Sequence, residues 1–341
     1  MFTRFEITGF RGHQQLKLDG LARVNLLVGA NNSGKTAVLD AVELLVRDGH
    51  PQALLELANR RGGISGGNGQ QLPPTVRHLF FGHAIGGKAS FTLHSEGDPE
   101  RTLRVEFADN FDDTQVKETG LVSVHRDTLA PHEMGAGNYS TGPGSMNPKA
   151  RAGKYAFVGP GPTDEPTLHS LWSSIVGNPD EDVVIEALKI VDPLIERVVF
   201  APDGNGAGKG PIYVRRSSER ERIPLSTMGE GLRRVLALAI RLVSVTGGTL
   251  LVDEIDDGLH FRAMVGLWTF LIREAERRNV QIFATTHSAD CVEAIGWIHR
   301  LTPEVVGNVC VMRISPTRTV ATRYEPAELD IALEGSIEVR G

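Results

Sequence analysis

The chain has 341 residues, a formal net charge of −6 and an apolar fraction of 40%. Such a length accommodates one large domain or two smaller ones, and the apolar fraction supports a globular core. The negative charge excludes a uniformly basic nucleic-acid binder, although it is compatible with a local basic face. Two cysteines, Cys291 and Cys310, are too few for a disulfide framework and lie in apolar surroundings, which predicts buried reduced thiols.

The sequence carries no sign of a membrane or secretory segment. No uninterrupted apolar run approaches the length needed to span a bilayer, and the first residues lack the apolar region of a signal peptide. We therefore expect a cytoplasmic protein without a membrane partner.

The first residues read as three short strands, of which the third leads directly into a glycine loop. The strands are expected at 2–8, 14–18 and 24–28, with glycines between them. The loop Gly29–Thr36 fits the pattern G-x-x-x-x-G-K-[ST], and apolar residues recur with a helical period over 36–48. A strand, a glycine loop and a helix start form the arrangement that phosphate binding requires.

This loop predicts a phosphate-binding site. Glycines allow successive backbone N–H groups to converge on phosphate oxygens, and the helix N-terminus adds a partial positive charge. Lys35 is expected to reach the β- and γ-phosphates, and the Thr36 hydroxyl is expected to ligate Mg²⁺. A plain glycine turn before an ordinary helix is the alternative, and the few free positions of the pattern argue against it. The other loop residues expected to hold the nucleotide are Asn31, Asn32, Ser33 and Gly34.

The middle of the chain mixes strand pairs with loops and helices. Residues 88–95 and 101–108 alternate enough to form an antiparallel pair, whereas 127–154 is rich in Gly, Pro, Ser and Asn and predicts an extended loop. Order is then expected to return at 155–158, followed by helices near 165–177 and 180–191 and strands at 195–201 and 212–215.

From residue 226 the pattern changes to a regular alternation of helices and strands. That alternation argues for parallel strands joined by crossover helices. The expected elements are helices at 229–246, 262–278 and 288–298, and strands at 249–255, 280–285, 308–314 and 319–324.

An apolar strand that ends in two adjacent carboxylates is the second strong signal. Asp253 at its end is suited to hold Mg²⁺ through the water shell of the ion, opposite Thr36. Glu254 points in another direction, which suits it to polarise the attacking water. An acidic strand-to-turn junction is the alternative, and the glycine loop upstream makes it the weaker interpretation.

A polar patch follows the next strand. His287, in the run Thr285-Thr286-His287-Ser288, is suited to reach a γ-phosphate. A lone histidine after a strand is usually a capping or surface residue. Its order in the chain, after the acid strand and one helix, favours the functional role.

Small residues open the helix that precedes the acid strand. The run from Ser226 to Arg234 leaves N-terminal amides able to meet an anion. A simple N-cap by Ser226 or Thr227 is the alternative. Arg233 and Arg234 are expected to serve a dimer or the nucleotide. The candidate nucleotide-binding residues here are Gly229, Glu230 and Gly231.

Together these four signals resemble the ATP-binding-cassette class of ATPases, in the branch shared by chromosome-maintenance and RecF-like recombination proteins. The resemblance is strongest to the overcoming-lysogenization-defect (OLD) family ATPases and their short prokaryotic relatives. Residues 110–160 are the part that it covers least. The residues behind it are Phe10-Arg11-Gly12, Leu27 to Thr36, Met228 to Gly231, Asp253 to His260 and Thr285 to Ser288.

The resemblance implies an α/β head of the P-loop ABC type, whose mixed sheet has an antiparallel β portion and an inserted region of helices and loops. A single ATPase domain would be formed by residues 1–110 and 195–341 around an insertion at about 111–194. Such heads pair as a homodimer or a higher oligomer. Each ATP then lies on the phosphate loop of one subunit and under the signature helix of the other.

The resemblance also implies roles for single residues. By this analogy Asp253 coordinates Mg²⁺, Glu254 is the catalytic base and His287 is the switch histidine, while Lys35 joins them in catalysis. Residues 256–260 would form the loop that crosses the dimer interface. ATP and Mg²⁺ are the implied cofactors.

Two features depart from the pattern of that class. The signature lacks the usual Leu-Ser-Gly-Gly, so whether Ser226, Thr227 or the Gly229 amide takes the role of the serine stays open. The glutamine of the lid loop is also unassigned, and its candidates are Gln70, Gln71 and His78.

OLD-family nucleases carry a metal-dependent nuclease domain of the TOPRIM type after the ATPase. Too few residues follow His287 to form such a domain together with the closing strands. We therefore expect this chain to have no nuclease of its own. The acidic residues expected to be surface charges are Asp330, Glu334 and Glu338.

The sequence supports three functions. The leading one is an ATP-hydrolysing dimer that regulates a separate effector protein, such as a nuclease, in anti-phage defence, or that acts on DNA. The second is a nucleotide-sensing scaffold with little turnover, and the third is a RecF-like DNA repair ATPase. A basic cluster offers a DNA contact, although a solvated hairpin face is the commoner explanation. The cluster comprises Arg215, Arg216, Arg220 and Arg222.

Overall fold

The computed structural model describes residues 1–62, 76–84, 88–109, 120–126, 129–135, 153–161, 163, 165–201, 210–325 and 328–329. The chain folds into two compact units, each assembled from segments that are distant in sequence. The first unit contains Met1–Ala22, Gly29–Gly153 and Met312–Arg323, and the second contains Arg23–Val28, Lys154–Val311 and Tyr324–Gly341. The chain therefore passes from the second unit to the first at the bond that precedes the glycine loop.

The first unit is built on an antiparallel sheet of six strands. These strands are β1 (Phe2–Phe10), β2 (His13–Asp19), β4 (Lys88–Gly97), β5 (Arg101–Asp109), β6 (Gly120–Arg126) and β7 (Leu129–Gly135). Their order in the sheet is β2-β1-β4-β5-β6-β7. The ring of Phe10 on β1 lies 4.9 Å from that of Phe91 on β4, between centroids, and both rings are buried. The antiparallel pair predicted at 88–95 and 101–108 is confirmed by the pairing of β4 with β5.

Two helices belong to the same unit, α1 (Lys35–Val46) and α2 (Pro51–Gly62). Helix α1 agrees with the expected helix at 36–48, and its buried face includes the carboxylate of Glu43. Arg60 pairs with Glu43 at 2.7 Å and Arg47 pairs with it at 3.3 Å. Burial of an ionised carboxylate is strongly unfavourable in free energy unless cationic partners such as these compensate for it.

The expected loop over 127–154 is wrong for its first residues. Leu129–Gly135 forms β7, which pairs antiparallel with β6 from Leu121↔Gly135 onward. Pro131 lacks an N–H group, and this is tolerated because β7 lies at the edge of its sheet. The local composition predicted a loop, whereas the neighbouring strand supplies the backbone partners. Residues 136–152 lie outside the described part of the chain.

The second unit is built on a sheet whose central strands are parallel. Its strands are β3 (Val24–Val28), β8 (Tyr155–Val158), β12 (Thr249–Val252), β13 (Gln281–Thr285), β14 (Val309–Arg313) and β15 (Thr322–Tyr324). Their order is β15-β14-β3-β13-β12-β8. Strands β3, β13, β12 and β8 run parallel, so their carboxyl ends lie at one edge. Every residue of β3, β12 and β13 is buried, as expected for a sheet covered on both faces.

Helices alternate with these strands, which confirms the crossover pattern predicted after residue 226. They are α5 (Glu230–Ser244), α6 (Phe261–Arg277) and α7 (Ala289–Leu301). Trp268 of α6 and Leu236 of α5 belong to the buried core that surrounds the sheet. The apolar residues of these helices therefore share one buried core with the parallel strands.

The stretch 154–224 adds smaller elements to the second unit. They are the helices α3 (Glu165–Trp172) and α4 (Pro179–Leu188) and a three-stranded antiparallel sheet of β9 (Ile195–Phe200), β10 (Ile212–Arg216) and β11 (Ile223–Pro224). Trp172 stacks on Phe200 with 4.8 Å between ring centroids. Strand β8 comes from the stretch predicted as an insertion, yet it pairs with β12 along its whole length. Short 3-10 helices lie at Val76–Leu79, Phe81–Ala84, Leu225–Thr227 and Pro303–Val306.

The predicted fold class is confirmed, because antiparallel and parallel sheets occur together with helices in one chain. Across the described ranges, each helix is too short or too polar to cross a membrane.

Both cysteines are buried and form no disulfide. Cys291 lies on α7 and Cys310 on β14. Cys310 Sγ donates to the side-chain oxygen of Asn25 at 3.1 Å. Burial, with a smaller contribution from the negative charge of Asp256, raises the pKa of the Cys291 thiol. The thiol therefore stays protonated where an exposed cysteine would ionise.

We expect neither cysteine of the native protein to react with Ellman's reagent between about pH 7 and about pH 9, the range in which exposed thiols ionise. The raised pKa of Cys291 removes its thiolate at any given pH, and burial shields the thiol of Cys310 from the reagent, so the higher pH does not start the reaction. Both thiols should react after unfolding in guanidinium chloride. The variant Ser218→Cys places a thiol at an exposed turn and should react in the native state. Rapid release of one equivalent from the native wild type would contradict this.

Candidate functional site

The glycine loop of the first unit ends at a position that only glycine suits. Gly34 is the N-cap of α1 and has a left-handed φ of 92°. A Cβ atom there would collide with the imidazole of His13, which is buried on β2. The Gly34 carbonyl lies 3.1 Å from His13 Nε2, and because a carbonyl only accepts, Nε2 carries the proton. Burial lowers the pKa of His13, which favours the neutral ring.

Lys35 and its neighbours line an open cleft of about 340 Å³. Lys35 Nζ donates to the carbonyls of Gly29 and Ala30, at 2.8 and 2.9 Å, so the ammonium lies across the loop. The hydroxyl of Ser33 is buried without a hydrogen-bond partner among the described residues. An ammonium, a buried hydroxyl and a helix N-terminus fit the oxygens of a phosphate. Asn32 and Thr36 also line this cleft.

Arg11 is a second cation in this cleft, and the sequence patterns did not assign it a role. Its guanidinium pairs with Asp40, which is fully buried on α1. Arg11 has a positive φ of 50° at the turn between β1 and β2. The run Phe10-Arg11-Gly12 was a signal for the family only, because spacing along the chain does not show that this turn borders the glycine loop.

The second unit holds the acid end of β12. Asp253 is buried, and its N–H donates to Val158 O at 2.8 Å. Its carboxylate accepts a hydrogen bond of 2.7 Å from the hydroxyl of Thr285. Val158 ends β8 and Thr285 ends β13, so three neighbouring strand ends meet at Asp253.

Glu254 follows in a left-handed backbone conformation with a φ of 52°. This conformation is uncommon for a residue that carries a side chain. Its N–H donates to the Thr285 hydroxyl at 2.9 Å, and the N–H of Ile255 donates to the Thr285 carbonyl at 3.0 Å. The Glu254 side chain is 46% exposed, and its Oε1 lies 3.8 Å from His287 Nδ1. The structure therefore brings Glu254 and His287 together.

A buried arginine on α5 holds the same turn. Arg234 donates through Nη2 to the carbonyls of Asp253 and Glu254, at 2.7 and 2.8 Å, and through Nη1 to the carbonyl of Gly159. Burial lowers the pKa of Arg234, and four carboxylates, led by Asp257, oppose that shift. Arg234 was expected to serve a dimer or the nucleotide. Its burial and its three carbonyl partners give it an internal role instead.

Glycine is favoured at two positions at the start of α5, for a different structural reason at each. Gly229 is the N-cap and has a positive φ of 89°. A Cβ atom on Gly231 would lie 2.8 Å from the carbonyl oxygen of Gly258, so this approach requires glycine. No side chain caps the first amides of the helix. A cleft of about 200 Å³ opens here, and Glu230 and Asp257 are among its lining residues.

The predicted site residues divide between the two units. The residues of the second unit share the carboxyl edge of its parallel sheet or the start of α5. Strand β3 pairs with β13 in that sheet, and the glycine loop follows β3 along the chain. Asn31, Asn32, Ser33, Gly34, Lys35 and Thr36 lie in the first unit, and Gly229, Glu230, Gly231, Asp253, Glu254 and His287 lie in the second.

Other candidates from the sequence fall elsewhere. His78 is exposed in a 3-10 helix of the first unit. Gln70 and Gln71 lie outside the described residues, and the expectation for a lid-loop glutamine stays a prediction. The acidic residues Asp330, Glu334 and Glu338 also lie outside the described residues.

A family model described as "AAA domain, putative AbiEii toxin, Type IV TA system" matches residues 24–131 and 179–291, which together exceed half of the chain. The chain belongs to this family. The matched segments contain the glycine loop, both carboxylates after β12 and His287.

Comparisons with individual proteins are consistent with membership of this family. A relative from Helicobacter pylori (strain ATCC 700392 / 26695), named an ATP/GTP phosphatase, is 21% identical over 88% of this chain and 89% of its own length. The fold resembles that of an SmcHead bound to the C-winged helix domain of ScpA, with a TM-score of 0.55, 13% identity, and coverage of 95% of this chain and 96% of that chain.

A second structure shows the same fold. It is the Smc head domain with an extended coiled coil, bound to the C-terminal domain of ScpA derived from Pyrococcus furiosus. Its TM-score is 0.55 at 11% identity, over 99% of both chains. The AAA-domain protein described here is therefore a P-loop ATPase with the head fold of the ABC and SMC class. The narrower likeness to the OLD family stays a prediction.

Replacement of Thr285 by valine tests the hydrogen bonds at the acid end of β12. Thr285→Val removes the donor to Asp253 and the acceptor for the Glu254 N–H, which should lower the free energy of unfolding by about 1–3 kcal/mol. The matched control is Thr269→Val on α6, whose hydroxyl donates only to a carbonyl of its own helix, that of Val265. It should change the free energy by less than about 0.5 kcal/mol. Urea unfolding measures both, and equal stabilities for the two variants would contradict this account.

Proposed function

We propose that this protein hydrolyses ATP as a homodimer or higher oligomer of heads, and that the cycle controls a separate effector protein in anti-phage defence. The observation that carries the proposal is the pairing of Glu254 with His287 at the edge of the sheet from which β3 enters the glycine loop. A carboxylate beside an imidazole is suited to orient a water molecule and to accept its proton.

We also propose that residues 1–110 and 195–341 work as one ATPase head around an insertion at about 111–194. The family match supports this, because it is interrupted between residues 131 and 179, inside the proposed insertion.

The glycine loop would hold the phosphates of ATP. Backbone N–H groups from Asn31 to Gly34 converge on phosphate oxygens in loops of this pattern, and the start of α1 adds its dipole. Lys35 would exchange its two carbonyl partners for the β- and γ-phosphates. The unpartnered hydroxyl of Ser33 supports this assignment, since it is a donor without an acceptor inside the described part of the chain.

Magnesium fits the residues assigned to it. The Thr36 hydroxyl and the Asp253 carboxylate are hard oxygen donors, the type that Mg²⁺ prefers, and Mg²⁺ also keeps several water ligands. Asp253 receives a hydrogen bond from Thr285 on one oxygen, which orients the carboxylate. When bound, the ion neutralises charge on the β- and γ-phosphates.

Glu254 would act as the base and His287 as a sensor of the γ-phosphate. Both side chains are about half exposed, so they can meet a substrate. Positioning and charge neutralisation supply most of the rate in phosphoryl transfer, which requires little covalent assistance. The Glu254 side chain is 46% exposed whereas Asp253 is buried, so the two acids are suited to different roles.

The start of α5 would bind the nucleotide held by a second copy of the chain. Its amides have no side-chain cap and are suited to an anion. Gly229 and Gly231 place no Cβ atom on either side of Glu230 at this end of the helix. Glu230 forms a 3.2 Å ion pair with Arg233, which offsets the repulsion that its carboxylate would exert on phosphate.

A protein partner has more support than DNA. The family description names a putative toxin of a type IV TA system, and both Smc heads of similar fold are bound to parts of ScpA. In the basic cluster, Arg215 pairs with Glu196, and Arg216 pairs with Asp192 and Glu219. These pairs neutralise half of the cluster and weaken its attraction for a phosphate backbone.

Lys35→Ala should abolish tight ATP binding. Removal of a charged partner of phosphate costs at least about 2 kcal/mol, or about a 30-fold rise in Kd. Titration with a fluorescent ATP analogue measures this. The control Lys189→Ala removes an exposed lysine that pairs with Glu186 on α4, and it should leave Kd unchanged. Wild-type affinity in Lys35→Ala would remove the glycine loop from the site.

Glu254→Gln should bind ATP normally and hydrolyse it about 100- to 10,000-fold more slowly, because loss of a general base has effects of that size. ATP should then hold the variant as a dimer in size-exclusion chromatography with light scattering. Glu196→Gln, an exposed carboxylate on β9, serves as the control and should hydrolyse ATP at the wild-type rate. Hydrolysis by Glu254→Gln at that same rate would exclude Glu254 as the base.

A further inference from the structure

We propose that Arg234 is a positioning residue for hydrolysis, which holds the backbone of Glu254 so that the carboxylate faces His287 and the attacking water. This inference rests on the proposed function. It extends that function by giving a catalytic consequence to a side chain of α5 that is only 4% exposed.

The backbone at Glu254 needs external support. A φ of 52° is energetically unfavourable for a residue with a side chain. Such conformations persist only where several surrounding contacts hold the backbone in place. Five hydrogen bonds do this here. Thr285 makes two of them, with the N–H groups of Glu254 and Ile255. Arg234 makes two more, with the carbonyls of Asp253 and Glu254, and the N–H of Asp257 donates to the Glu254 carbonyl at 3.1 Å.

Arg234 therefore supplies two of these five hydrogen bonds, and it does so from a different element than Thr285. Without it, the carbonyls of Asp253 and Glu254 lose their guanidinium donor, and the Glu254 carbonyl keeps its local partner, the N–H of Asp257 in the same turn. The peptide can then rotate toward the more common φ values. That rotation moves the Glu254 carboxylate away from its position 3.8 Å from His287 Nδ1.

The hydrogen bonds of Arg234 depend on the planar shape of its guanidinium group and not only on its charge. The fork of an arginine presents donors in fixed directions, whereas a lysine presents all its protons from one atom. Arg234 reaches three carbonyls in two segments, those of Asp253 and Glu254 after β12 and that of Gly159 after β8. A lysine at this position keeps the charge that the nearby carboxylates balance, but it cannot reproduce three such bonds.

The test compares Arg234→Lys and Arg234→Ala with the wild type and with Arg277→Lys. Arg277 is a matched control because it is exposed at the end of α6 and pairs with Glu274 at the surface. For each protein we would measure kcat, KM, the Kd of ATP and the thermal unfolding midpoint. We expect kcat of Arg234→Lys to fall about 10- to 100-fold, as for the loss of other groups that orient a reacting residue. We expect Kd and KM to stay near the wild-type values.

Chemical rescue separates positioning from a structural role. Arg234 borders the cleft of about 200 Å³, so guanidinium ions have a route to the space vacated in Arg234→Ala. Low concentrations of guanidinium should raise kcat of Arg234→Ala at least several-fold without raising its unfolding midpoint. The same concentrations should not raise kcat of the wild type or of Arg277→Lys.

The possible results distinguish a failure of this inference from a failure of the proposed function. A wild-type kcat in Arg234→Lys overturns the inference. So does a loss of kcat that parallels the losses of ATP affinity and thermal stability, with no recovery in guanidinium. If the wild type binds ATP but does not hydrolyse it, the proposed function fails and takes this inference with it. If Glu254→Gln is inactive while Arg234→Lys is fully active, the proposed function stands and this inference alone fails.

Discussion

The left-handed backbone at Glu254 is the constraint on which the site of the second unit depends. Such a conformation costs about 1–3 kcal/mol, and the hydrogen bonds from Thr285 and Arg234 offset it. Because of this turn, two adjacent carboxylates experience different surroundings. Asp253 is buried and accepts a hydrogen bond from the Thr285 hydroxyl, whereas the Glu254 side chain is 46% exposed and lies beside His287. Neighbouring acids in unlike environments can take unlike chemical roles.

Parallel pairing makes this constraint possible. In a parallel sheet the carboxyl ends of neighbouring strands share one edge, so β8, β12 and β13 each contribute to the environment of Asp253. Val158 supplies a backbone acceptor and Thr285 supplies a hydroxyl. Strand β3 ends in the same sheet and continues into the glycine loop. The buried apolar strands therefore serve the site as well as the core.

Much of the fold could be predicted from periodicity alone. The helices at 262–278 and 36–48 were predicted within two residues of their observed bounds, because long amphipathic periods are strong local signals. Strand β7 was missed because its partner strand, not its Gly- and Pro-rich composition, stabilises it. Strand β8 was located without its partner, since four residues cannot indicate that β12 lies far along the chain.

By itself the sequence determined where a phosphate-binding pattern and a pair of carboxylates lie, because glycines, Lys35, Thr36 and adjacent acids are identifiable by residue type and spacing. It also determined the alternation that makes the strands parallel. Only the tertiary structure decided that Arg234 is internal, that Glu254 has a left-handed backbone and that Arg11 borders the glycine loop. The physical reason is that burial, backbone strain and long-range hydrogen bonds depend on which distant segments meet, and a linear pattern records only what lies nearby.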